Sequence, residues 1–270
     1  MGANNADHTK SRQDVSETIT YEQPLNERLR TLLRLEALMA RFDYCLPLDS
    51  HWDTHCALVT LMEIFQLSTR GDLKSDLMKE LDREIGNLSR LSREPDVDQV
   101  QLDGIIDRQR QQIKKLRGMT GQLGQHLKDN DFVNALRQRS SIPGGTCDFD
   151  LPAYHHWLSR PVEVRRRQFE QWIAPFREVQ EAIDLVLSLI RNSTTAHAEL
   201  ARMGFYQQNL DLSQPYQMIR VELPANVSWF PEISAGKHRF TIRFLSQPDL
   251  DNRARQLQQD IEFRLACCAL

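Results

Sequence analysis

The sequence predicts an α+β protein: a large all-helical domain with a smaller antiparallel β domain at its C-terminal side. Three observations lead there. Apolar residues recur at three- and four-residue spacing from Leu29 to Leu189, the period of helices with one buried face. After Gly204 the period changes to two. Charged residues make up 26% of the chain and mean hydropathy is −0.52, as expected of helices whose outer faces meet water.

Residues 1–16 are small, polar and without period, and read as a disordered tail. Ile19 and Tyr21 fit a short strand at 17–24, ended by Pro24. Asn26 then reads as a helix cap ahead of Leu29, Leu32, Leu33, Leu35, Leu38 and Met39. A second helix opens at Ser50, with Asp53 three residues on in a capping-box pattern, and stops near Gly71. Two charged helices follow as a hairpin. One stripe is Leu73, Leu77, Leu81, Ile85, Leu88 and Leu91. The other is Val100, Leu102, Ile105, Ile106, Ile113, Leu116 and Leu123, with Pro95-Asp96 as the break between them. Asp131–Arg139, Pro161–Phe176 and Val179–Leu200 add further helix. Three alternating segments close the chain: Ile219-Val221-Leu223, Phe240-Ile242-Phe244 and Ile261-Phe263-Leu265. The expected boundaries are 26–200 for the helical domain and 201–270 for the β domain, joined by the strand at 17–24.

Composition narrows the classes of function. A chain of 270 residues buries a core without disulfides, and five cysteines, an odd number, fit a reducing compartment. Thirty-four Lys and Arg against 37 Asp and Glu give a net charge of −3, which argues against a basic coat for nucleic acid and leaves room for a local basic patch. No apolar run approaches the roughly 18 residues of a membrane span, and the polar start lacks a signal core. A cytoplasmic protein without membrane insertion is expected.

The densest special chemistry lies in Arg137–Leu158, RQRSSIPGGTCDFDLPAYHHWL. Pro143 fixes φ, Gly144 and Gly145 permit φ > 0, and Pro152 opens another helical turn, so the segment reads as a shaped turn carrying Cys147, His155, His156 and Trp157. In the β domain, Arg239 and Arg243 share a strand face opposite Phe240, Ile242 and Phe244, and Arg220 and Arg264 also fall opposite apolar residues. If these strands are neighbours, the outer face is a cationic sheet suited to carboxylates or phosphates. A plain solvated face is the competing reading.

Metal and catalytic readings are thin. His51 and His55 stand four apart but lack the glutamate of H-E-x-x-H, and no C-x-x-C spacing occurs. Cys267 continues the Ile261-Phe263-Leu265 face and reads as a buried apolar residue. A Cys147–His155 nucleophile pair is the only catalytic arrangement to draw; no nucleophile elbow, phosphate loop or dinucleotide fingerprint is present. Tyr154, Trp157, Trp172 and Phe176 fall at helical intervals and read as core. No cofactor, metal or catalytic residue is expected. The residues alone end at an α+β protein with a basic face.

Several segments go further. Arg137–Leu158, Tyr21–Glu36 (YEQPLNERLRTLLRLE), Arg70–Arg83 (RGDLKSDLMKELDR), Gly204–Gln207 (GFYQ), Lys237–Phe244 (KHRFTIRF) and Phe263–Cys268 (FRLACC) resemble, in type and order, the ZapD family of bacterial cell-division proteins. The resemblance runs from Tyr21 to Cys268. It implies a non-enzymatic cytoplasmic homodimer, acting at mid-cell, that binds the tubulin-like GTPase FtsZ through its C-terminal tail. It further implies that the protein bundles FtsZ protofilaments, promotes Z-ring assembly and lowers GTPase turnover. The family's contacts map onto Arg34, Arg70, His155, Arg239 and Arg243. A further position, basic in some relatives, falls on Asp131 here. The alternative reading is a nucleic-acid-binding module using the cationic sheet; a thiol or metal enzyme built on Cys147 and His155 is a third.

Overall fold

The computed structural model describes residues 18–91, 97–140 and 142–270. The expected tail at 1–16 and the Pro95-Asp96 break lie outside them. The chain divides into two compact units. One runs up to Leu25 and resumes at Thr194–Cys268; the other is Asn26–Ser193 with Ala269–Leu270.

The helical unit contains α1 (Glu27–Cys45), α2 (His51–Ser68), α3 (Leu73–Leu91), α4 (Gln99–Gly118), α5 (Gln125–Lys128), α6 (Asp131–Arg139), α7 (Pro152–Leu158) and α8 (Val162–Asn192). The predicted caps are in place. Asn26 Oδ1 accepts from the Leu29 N–H at 2.8 Å, and Ser50 and Asp53 close both halves of their capping box. α1 packs against α2, α3 against α4, and α8 against all four.

Two helical expectations need correction. Pro161–Phe176 and Val179–Leu200 are not separate helices: α8 runs unbroken through Pro175 and ends at Asn192, and His197–Ala201 is a strand. An internal proline costs about 3 kcal/mol. Burial of Phe169, Trp172, Ile173, Phe176, Val179 and Ile183 offsets it, each large side chain contributing roughly 1.5–3 kcal/mol. His126 Nε2 also donates to the Trp172 carbonyl at 2.8 Å, one turn before the proline. In the second correction, Val100 is 84% exposed in the first turn of α4, and Leu123 lies beyond that helix's end at Gly118. Neither belongs to the apolar stripe.

The β unit contains β1 (Thr18–Pro24), β2 (His197–Ala201), β3 (Phe205–Asn209), β4 (Tyr216–Pro224), β5 (Trp229–Ala235), β6 (Arg239–Ser246), β7 (Arg255–Gln256) and β8 (Ile261–Ala269). They form two four-stranded sheets. One has the order β1-β4-β8-β2; in the other, β6 lies between β3 and β5 and also pairs with β7. All three predicted alternating segments point inward: Ile219, Val221 and Leu223, then Phe240, Ile242 and Phe244, then Ile261, Phe263 and Leu265 share one core.

The β2–β3 connection depends on Gly204. Met203 (φ 50°) and Gly204 (φ 70°) both take positive φ, as a two-residue type I′ hairpin turn requires. Met203 is held there by its N–H to Asp260 Oδ1 at 2.9 Å and its carbonyl to Gln256 Nε2 at 3.0 Å. A Cβ on Gly204 would lie 2.4 Å from the Leu257 carbonyl oxygen. Gly204→Ala is therefore expected to lower the free energy of unfolding by about 2 kcal/mol. Gly71→Ala, also at positive φ (88°) but with nothing within 4 Å, should cost only about 1 kcal/mol. Urea denaturation of the two variants checks the difference.

Candidate functional site

Strand alternation, helical phase and, for Arg70, the turn after α2 place the five candidate residues on three surfaces. On β6, Arg239 and Arg243 are exposed while Phe240, Ile242 and Phe244 between and beside them are fully buried. The core therefore fixes which way the arginines face. Arg239 makes no ion pair among the described residues. Arg243 has Glu232 of β5 at 3.9 Å, with both side chains more than half exposed (57% and 59%). A pair that loose and solvated contributes well under about 1 kcal/mol and leaves the guanidinium available.

The cationic sheet is not one surface. Arg220 and Arg264 lie on β4 and β8, neighbours in the other sheet, on the side away from the shared core. There they are largely neutralised: Arg220 pairs with Glu22 at 3.2 Å and Glu222 at 3.8 Å, and Arg264 pairs with Glu222 at 3.4 Å. The expectation assumed that β6 would sit beside β4 and β8. A sandwich separates them, because three inward-facing apolar strands need a second layer to bury against.

Arg34 and Arg70 come together in the helical unit. They line one groove of about 590 Å³ between α1 and α2, with Ala37, Leu38 and Leu67 as apolar lining. Arg41 and Glu63 pair across the groove, and Arg41 Nε also donates to Thr60 Oγ1 at 2.9 Å. Arg34 is 58% exposed, with Glu27 no nearer than 3.9 Å, and Arg70 makes no ion pair among the described residues. Two uncommitted guanidiniums thus flank an apolar floor.

His155 does not line that groove. It is exposed on α7, whose other face is core: Tyr154 and Trp157 are buried, and Trp157 packs on Phe169 and Phe132 with ring centroids 5.5 and 5.7 Å away. Pro152 occupies the first turn of α7, as its position in the sequence predicts. In the turn before it, Gly144 takes φ 72°. Gly145 does not; it is required because a Cβ would lie 2.4 Å from the Arg139 carbonyl oxygen. Asp131 opens α6, where a carboxylate favours the helix N-terminus, and Asn130 caps Val133 at 3.0 Å.

The residues behind the catalytic and metal readings are placed as follows. Cys147 and His155 are both exposed, with no hydrogen bond between them among the described residues. The cysteines that do meet are Cys45 and Cys56, whose sulfurs are 2.9 Å apart, and burial, then the Cys56 contact, pushes the Cys45 thiol up to about 11. Such a thiol is a poor nucleophile at neutral pH. His55 Nδ1 is 2.8 Å from the Tyr154 hydroxyl, and burial lowers its pKa. Among the described residues no group of three His, Cys, Asp or Glu side chains is placed to hold a metal, and no helix is long and apolar enough to cross a membrane.

Sequence reasoning did not place Phe205 on the arginine face. It is 39% exposed on β3, directly opposite Arg243 in the ladder. Phe205-Gln207-Asn209 does alternate, but five residues of mixed polarity give a weak strand signal.

Comparison with known proteins adds a family to this geometry. The ZapD family model, described as a cell division protein, matches residues 33–243. Over 253 residues the chain is 42% identical to the cell division protein ZapD of Methylococcus capsulatus, covering 93% of this chain and 98% of the relative. It is 40% identical over 250 residues to ZapD of Chromobacterium violaceum, covering 93% and 99%.

Proposed function

Because the chain belongs to the ZapD family of cell division proteins, we propose that it is a non-enzymatic cross-linker of FtsZ. It acts in the cytoplasm at the mid-cell division site as a homodimer. In this reading it binds the FtsZ C-terminal tail, bundles protofilaments, promotes Z-ring assembly and lowers GTPase turnover, with no membrane insertion and no nucleic-acid partner.

The observation that carries the reading is the pair Arg239 and Arg243 on one exposed strand face, Arg239 without an ion pair among the described residues and Arg243 only loosely paired with Glu232 at 3.9 Å. Carboxylates of an extended tail gain charge-assisted hydrogen bonds there, about 1.5–3 kcal/mol each. The groove holding Arg34 and Arg70 is a second cationic surface, and His155 on α7 a further polar candidate. A short tail held by a few such contacts binds weakly, on the order of micromolar, and loses affinity with salt. A dimer carries two copies of each surface on one body. Bridging then follows from valence, and many weak bridges along a filament act together. Reduced GTP turnover follows indirectly, since filaments held assembled exchange nucleotide slowly.

The nucleic-acid reading loses its main support with the division of the arginines between two faces. Negative-stain electron microscopy of GTP-assembled FtsZ tests the proposal. Single protofilaments alone and bundles on addition of the dimer are expected; unchanged single filaments at low salt would refute it.

A further inference from the structure

α1 ends on Cys45, and Cys56 stands in the second turn of α2. The two helices run antiparallel, with Arg41 meeting Thr60 and Glu63 one turn further along. At their connected end the thiols meet: Cys45 donates to Cys56 Sγ at 2.9 Å. An S–S bond is about 2.05 Å long, so closing one asks the sulfurs to approach by less than about 1 Å. The two thiols differ in access. Cys45 is buried, and together with Ala57 and Phe169 it lines a space too small for water. Cys56 is half-buried and reaches solvent. Burial, then the contact with Cys56, pushes the Cys45 thiol up to about 11, so Cys45 is not the thiol that attacks first.

We propose that Cys45 and Cys56 form a reversible oxidation site, entered at Cys56 by a small disulfide such as glutathione disulfide and closed as a Cys45–Cys56 bridge. The Cys56 thiolate attacks one sulfur of glutathione disulfide. A mixed disulfide forms, and one glutathione leaves as a thiolate that takes up the proton Cys56 gave to solvent. Cys45 then loses its proton, and its sulfur displaces the second glutathione, which takes a proton in turn. The two protein thiols lose two electrons, and glutathione disulfide gains them as two glutathione thiols. Cys45 needs little thiolate for its step because it already touches its target. In a reducing compartment the dithiol is the resting state, and the bridge forms under oxidant. It joins residues eleven apart in sequence. Because the sulfurs already meet, the helices stay in place and the cross-link acts by restricting the unfolded chain. The groove of Arg34 and Arg70, further along the same helices, keeps its shape. The bridge also holds Cys56 in a form that thiols restore, short of the sulfinic acid that they do not.

Differential alkylation of the full chain tests this. Reduced protein is exposed to glutathione disulfide, remaining thiols are blocked with N-ethylmaleimide, and the chain is digested with trypsin. Cys45 and Cys56 fall in one tryptic peptide, Phe42–Arg70. That peptide should be two hydrogens lighter than its reduced form, carry no maleimide, and accept two alkyl groups after dithiothreitol. Exposed Cys147 should carry glutathione and so report that the oxidant acted. The bridged protein should melt at a higher temperature than the reduced one, and dithiothreitol should cancel the shift. Cys45→Ser should stop with glutathione on Cys56, and Cys56→Ser should leave Cys45 unmodified in the folded protein. The parent peptide decides the pairing even where a serine variant does not fold. Glutathione on Cys147 beside free thiols at both Cys45 and Cys56 would overturn the proposal. So would a mixed disulfide that persists on Cys56 in the parent protein, or a bridge from Cys56 to Cys147.

Discussion

Bundling of FtsZ filaments is expected to disappear when Arg239 and Arg243 are both changed to glutamate, with fold and dimer intact. In the proposed complex two charge-assisted hydrogen bonds of about 1.5–3 kcal/mol each would be lost, and repulsion from the tail's own carboxylates would be added. A contact of micromolar strength falls by a factor on the order of a hundred or more, below what many weak bridges can restore. The fold should tolerate the change. Both side chains are exposed on the face opposite Phe240, Ile242 and Phe244, Arg239 has no ion-pair partner among the described residues, and the contact of Arg243 with Glu232 is long. Light scattering of FtsZ with GTP reports bundling; thermal melting and size-exclusion chromatography report fold and dimer. Arg264→Glu, on the other sheet, should keep bundling. If the double reversal bundles normally, the site does not include this face.

The second large effect is on stability and concerns Glu84. This residue of α3 is fully buried against Gln109 of α4, whose Nε2 donates to Glu84 Oε2 at 2.7 Å. Among the described residues, Oε1 of each has no hydrogen-bond partner. Burial, then the neighbouring Glu80 charge, pushes the Glu84 carboxyl up to about 9 despite opposing effects from Arg83 and Gln109. The folded protein thus keeps this proton up to about pH 9, whereas the unfolded chain releases it near 4.5. Between those values the folded state binds more protons, so stability falls as pH rises, by about 1.4 kcal/mol per pH unit at most. Glu84→Gln stays neutral throughout and offers an N–H to the orphaned Gln109 oxygen. It should raise the free energy of unfolding at pH 7 by about 3 kcal/mol and flatten its decline between pH 5 and 9. Urea titrations across that range check it. An unchanged slope would mean that the carboxyl is ionised in place.

Much of this fold was legible because its signals are local. The Asn26 and Ser50-Asp53 caps, the α1 and α3 stripes and the three apolar strands each depend on residues within a few positions of one another. What was not legible depends on partners distant in sequence. α8 passes Pro175 because distant core residues receive its apolar face, and β2 and β5 form although one is short and the other carries Pro231. The site divides the same way. Alternation alone put Arg239 and Arg243 outward. The separation of Arg220 and Arg264 onto another sheet, the meeting of Arg34 and Arg70 in one groove, and the place of Phe205 beside Arg243 all depend on topology. Arg34, Arg70 and His155 entered through family resemblance, and no periodicity marks them.

Co-sedimentation with GTP-assembled FtsZ, intact and lacking its C-terminal tail, over a salt series bears most directly on whether an acidic tail docks on these arginines. Pelleting with intact filaments that fades as salt rises, and is absent with tailless filaments, is the predicted result. Equal pelleting with both forms, or pelleting indifferent to salt, would contradict it.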